Sequence, residues 1–78
     1  MKKIIIYTTS SCPFCEATKR FLQEKGYTYE ERNVENNENY LKEMIDKSGQ
    51  WGVPVIDIEG KIVVGFRPRE IEAILNEE

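Results

Sequence analysis

The sequence predicts a small α/β domain in the order strand, helix, strand, helix, strand, strand, helix. Three features carry that reading. Short β-branched runs, such as Ile4-Ile5-Ile6 and Ile62-Val63-Val64, alternate with stretches whose apolar residues recur every three or four positions. Proline, glycine and asparagine punctuate the junctions between them. The 78 residues, 40% hydrophobic and 32% charged, suit one domain at 1–78 rather than a disordered tail.

Each element has a local reason. Residues 3–7 hold a β-branched run without alternation, as expected of a strand buried on both faces. Thr8, Thr9, Ser10 and Ser11 read as a polar loop. From Pro13, which suits a first helical turn because its missing N–H is not needed there, Phe14, Ala17, Thr18, Phe21 and Leu22 share one helix face. Gly26 stops that helix, and residues 27–34 alternate aromatic, Thr and charged side chains as a second strand. Asparagines at 36, 37 and 39 offer a cap for a helix carrying Leu41, Met44 and Ile45 and ending at Ser48-Gly49. Residues 53–58 read as a third strand, Glu59-Gly60 as a hairpin turn and residues 61–64 as a fourth strand. Gly65 breaks that strand, and Arg67-Pro68 opens a last helix with Ile71, Ile74 and Leu75 as its buried stripe. Glu77 and Glu78 read as a frayed terminus.

Composition removes several classes of function. Eleven Lys and Arg against 14 Asp and Glu give a net charge of −3, unlike the basic face of a nucleic-acid module. The apolar run after Met1-Lys2-Lys3 is too short for a signal-peptide core or a membrane span, so a cytoplasmic location is the expectation. There is no His, which excludes Cys–His and Ser–His nucleophiles and His-ligated metal. The remaining chemistry runs on sulfur, carboxylates, amines or backbone.

Cys12-Pro13-Phe14-Cys15 is the sharpest motif. It falls where the first strand's loop meets a helix N-terminus, whose unpaired N–H groups and dipole favour an anion. A Cys12 thiolate is therefore expected below the free-cysteine pKa of about 8.5. Cys15 lies one turn deeper on the packed side. The spacing permits a disulfide, with Cys12 attacking a substrate disulfide and Cys15 resolving the mixed disulfide. The pair alone leaves other readings open: ordinary packing, or zinc or an iron–sulfur cluster shared between two chains. A four-ligand zinc site within one chain lacks two ligands.

Val53-Pro54-Val55 sets a proline in an otherwise good strand sequence. A cis bond before Pro54 would leave nearby backbone groups free for a peptide-like ligand; a trans proline at the strand's first residues is the plainer reading. Trp51, beside it, reads equally as groove lining or as core packing. Lys19 and Arg20 read as a solvated helix face, with added positive potential near Cys12 as the alternative.

Taken together, the element order, Cys12-Pro13-Phe14-Cys15 after strand one and Val53-Pro54 at strand three resemble the glutaredoxins of the thioredoxin fold over essentially the whole chain. The resemblance implies a four-stranded mixed sheet of order 2-1-3-4 with three helices. It implies a thiol–disulfide oxidoreductase acting through Cys12 and Cys15, supported by Pro13, Phe14 and Pro54, with no bound cofactor, no metal, and glutathione as cosubstrate. Phe14, Trp51, Gly52, Val53, Pro54, Gly65, Phe66 and Arg67 would line the glutathione or substrate site, Val53 through its backbone. A monomer is implied, served by the glutathione reductase system or by thioredoxin reductase and reducing disulfide-containing proteins or glutathione mixed disulfides.

Three positions depart from the family pattern. Thr8 stands where many relatives carry a lysine for the glycyl carboxylate, and Gly52 replaces the usual Thr before Val-Pro. Gly65-Phe66-Arg67-Pro68 replaces the acidic pair that contacts the γ-glutamyl group. That segment resembles the redoxins that supply ribonucleotide reductase and are recharged by thioredoxin reductase, the alternative reading of the function. An iron–sulfur carrier is the third reading, opposed by Pro13 and Cys15, where family carriers more often have Gly and Ser.

Overall fold

The computed structural model describes residues 3–77. Strand β1 (Ile4–Thr8) is buried along its whole length, which is why its sequence does not alternate. It pairs in parallel with β2 (Glu30–Asn33) and antiparallel with β3 (Val55–Ile58), which pairs antiparallel with β4 (Lys61–Val64). The sheet order is β2-β1-β3-β4, as the glutaredoxin resemblance implies. Helices α1 (Pro13–Glu24) and α3 (Pro68–Leu75) supply Leu22, Ile71 and Leu75 to one face, against Ile4, Ile6, Ile56, Ile58 and Val63. Helix α2 (Glu38–Ser48) supplies Met44 to the other face, against Ile5, Tyr7, Val34 and Val55. No described helix is long and apolar enough to cross a membrane.

The strand boundaries and one helix face differ from the sequence reading. β1 begins at Ile4 and runs through Thr8, which is fully buried strand and not loop. β2 begins at Glu30 rather than residue 27, and ends at Asn33, because its ladder with β1 runs from the Ile5–Glu30 pair to the Thr8–Asn33 pair. Tyr27 and Tyr29 precede the strand and pack against the α1–α3 core. β3 begins at Val55, after a proline that has no N–H for the ladder. On α1 the buried face is Cys15, Thr18 and Leu22, while Phe14 points outward at 65% exposure. Glu77 pairs with Lys61, and Glu78 lies outside the described residues, as do Met1 and Lys2.

The caps are those the residue types favour. Asn37 accepts the Tyr40 N–H at the start of α2 (3.0 Å), and Gly49 closes it in the left-handed region at φ 73°.

Between α2 and the sheet runs a chain of charged groups. Tyr7 donates its hydroxyl proton to Glu43, Arg32 pairs with the same carboxylate, and Lys47 reaches both the Tyr7 oxygen (2.8 Å) and Asp57 (2.7 Å). The Tyr7 hydroxyl and the Arg32 guanidinium hold the Glu43 carboxyl below its ordinary range. On the opposite face the Thr8 hydroxyl and the Lys19 ammonium do the same for Glu31. A carboxylate depressed on folding contributes stability above its unfolded pKa, and that contribution is lost as pH falls through the lower folded value. Stability is therefore expected to hold above about pH 5 and to decline below about pH 4. Urea midpoints measured across that range check it, with a shallower decline in Glu43→Gln. Identical slopes would remove Glu43 from the acid response.

Candidate active site

Cys12 is the N-cap of α1. Its backbone is extended (φ −131°, ψ 100°), Pro13 occupies the first turn, and its Sγ accepts the Cys15 N–H at 3.1 Å. A negative charge on that sulfur would meet a helix N-terminus and an amide already aimed at it. Cys15, one turn on, is fully buried. The two sulfurs are joined as a disulfide, with Cα atoms 5.2 Å apart.

The rest of the site comes from two turns. The Val53–Pro54 peptide is cis, and the Pro54 carbonyl accepts the Gly65 N–H at 2.8 Å. That bond sets the turn between β4 and α3 beside the proline loop. Phe66, in the same turn, meets Phe21 of α1 edge to face, with ring centroids 6.0 Å apart. The turn before α3 is thus in contact with both the first helix and the proline loop. Arg67 is the N-cap of α3, exposed, bonded through Nε to the Val64 carbonyl (3.1 Å) and close to Glu70 (3.4 Å).

A glutaredoxin family model matches residues 4–63. The chain belongs to the glutaredoxin family. A glutaredoxin-like 8.6 kDa protein from Clostridium pasteurianum is 42% identical over 72 residues, covering 92% of this chain and 96% of that one. Glutaredoxin 3 of Escherichia coli K12 is 35% identical over 65 residues, covering 83% and 78%. Among solved structures, a T8A mutant of the thioredoxin-like protein BC3987 superposes over the full length of both chains, with TM-score 0.90 and 31% identity. The glutaredoxin-like NrdH-redoxin of Escherichia coli superposes over 91% of this chain and 92% of its own, with TM-score 0.80 and 32% identity.

Within this glutaredoxin-family site, several residues sit differently from the sequence reading. Trp51 is 79% exposed, so the packing alternative does not hold. Phe14 is also outside the core. Of the proline loop's backbone, the Pro54 carbonyl is already spent on Gly65, whereas the Val53 N–H and C=O have no partner among the described residues. Thr8 is fully buried and its hydroxyl donates to Glu31 (2.7 Å), so it offers nothing to an external carboxylate. Lys19 is held between Glu16 (2.7 Å) and Glu31 (3.1 Å), which spends its charge locally; Arg20 is exposed. Sequence reasoning missed Gln50 and Ser48, whose side chains organise the loop before Val53. A Gln two residues before a Gly carries no recognisable signal without knowledge of the turn.

Proposed function

We propose that this chain reduces protein disulfides by dithiol exchange. The Cys12 thiolate attacks one sulfur of the substrate disulfide, forming a mixed disulfide and expelling the other substrate sulfur as a thiolate. Cys15 then loses its proton and attacks Cys12, releasing the second substrate thiol and leaving the Cys12–Cys15 disulfide. Two electrons pass from the protein dithiol to the substrate, and solvent returns the protons. The observation that carries this reading is the asymmetry of the pair: Cys12 is half-buried at the helix N-terminus, and Cys15 is fully buried behind it. A buried sulfur reaches only what is bonded to Cys12, which suits a resolving thiol.

Recharging by thioredoxin reductase is the favoured electron source, because Thr8 is buried where a glycyl carboxylate would need a cation. The NrdH-redoxin of Escherichia coli, similar over almost its whole length, is described by a thioredoxin-like activity profile, which agrees with that choice. Glutathione is the second reading, supported by exposed Arg67 at the start of α3, where a tripeptide carboxylate would be attracted. Disulfide reduction at the expense of NADPH is measured with thioredoxin reductase alone and with glutathione plus glutathione reductase. Turnover only with thioredoxin reductase is the expected result; turnover only with glutathione transfers the assignment to the second reading. Turnover with neither rejects both.

A further inference from the structure

The turn that leads into Val53 is braced by a side chain with no assigned role. The Gln50 amide closes on Gly52 from both ends: Oε1 accepts the Gly52 N–H at 2.6 Å, and Nε2 donates to the Gly52 carbonyl at 3.1 Å. Nε2 also reaches the Ser48 hydroxyl (3.2 Å), whose single proton is placed between the carbonyls of Met44 (2.7 Å) and Gln50 (2.8 Å). The end of α2, the turn and Gly52 are therefore tied together without any ligand. A Cβ on Gly52 would stand 2.8 Å from Gln50 Oε1, so a side chain here would displace the amide from the brace.

The brace has two consequences. It satisfies Gly52, and the Val53 N–H and C=O, next to Pro54, have no partner among the described residues. It also holds the backbone on either side of Trp51, whose ring stands in solvent without a ring contact among the described residues. A large exposed aromatic on a braced turn presents contact area on a backbone that needs no further ordering on binding.

We infer that Gln50 is a specificity-determining positioning residue, bracing the turn so that Trp51 receives an apolar side chain next to the cysteine of an extended protein disulfide paired with Val53. This rests on the dithiol reading above and names its substrate class: a disulfide within a peptide segment. A disulfide without a flanking peptide engages Cys12 and gains nothing from Trp51.

The test uses Gln50→Met, which keeps the side chain's length but not its amide, Gln50→Glu, which keeps only the acceptor for the Gly52 N–H, and Gly52→Ala, which displaces the amide. The probe is insulin, reduced with the recharging system that supports wild-type turnover. Gln50→Met is expected to raise KM about three- to tenfold with kcat within about twofold, and to speed hydrogen exchange at the Gly52 amide by a similar factor. Gln50→Glu should fall between Met and wild type. Gly52→Ala should match Gln50→Met, and the double variant should be no worse than either, since both remove one brace. A loss carried by kcat, an unchanged KM despite faster Gly52 exchange, or additive losses in the double variant would each overturn the inference. Wild-type reduction of bis(2-hydroxyethyl) disulfide reads the redox reaction separately. If that fails, the dithiol reading is at fault, while the amide exchange still reports the brace.

Discussion

Replacing Cys12 by Ser is expected to bring disulfide reduction down to the background rate. A serine hydroxyl is not ionised at neutral pH and does not displace a thiolate from a disulfide, so the helix N-terminus is left with nothing to activate. Replacing Cys15 by Ser has a different signature. Attack by Cys12 still occurs, but no second thiol within the chain resolves the adduct. Protein substrates should then accumulate as mixed disulfides on Cys12, visible by mass spectrometry of the Cys15→Ser protein after exposure to insulin. Only reactions completed by an external thiol such as glutathione should still turn over. Full turnover by the Cys12→Ser protein would refute the role of Cys12, and full turnover of protein disulfides by Cys15→Ser would refute that of Cys15.

Truncating Ile56 to Ala should have a comparably large effect on stability. Ile56 is fully buried at the centre of the sheet, opposite Ile6 on one side and Val63 on the other. Such a truncation removes about 2–5 kcal/mol through lost transfer energy and the cavity left behind. A domain of this length is stable by only about 4–12 kcal/mol in total. At about 4–8 °C per kcal/mol, a fall in Tm of about 8–40 °C follows. Thermal unfolding followed by circular dichroism checks it, with Val64→Ala as a control at a 38% exposed position of β4. A shift of less than about 4 °C in Ile56→Ala would show that neighbouring side chains close the space.

Much of the fold was legible in the sequence because its signals are local. Pro13 and Gly26 bound the first helix, and Asn37 and Gly49 bound the second. A strand buried on both faces must lack alternation, and β1 does. The errors arose where pairing decides the outcome. Residues 27–29 have strand-like composition but make no ladder pair with β1, and Thr8 is polar but extends a strand because Asn33 lies beside it. Phe14 lies close in angle to the apolar face of α1, yet the turn carrying the two cysteines gives the interior to Cys15.

The site divides along the same line. Cys12 and Cys15 were identifiable from spacing and from their place at a helix start, since an anion's preference for a helix N-terminus needs no knowledge of distant residues. Their unequal burial followed from helix geometry. The placement of Trp51 in solvent, the engagement of the Pro54 carbonyl with Gly65 and the brace of Gln50 on Gly52 did not. These depend on how turns from separate elements pack, and on which backbone groups other segments have already satisfied. Residue type decides which chemistry is available, and long-range packing decides which groups stay free to use it.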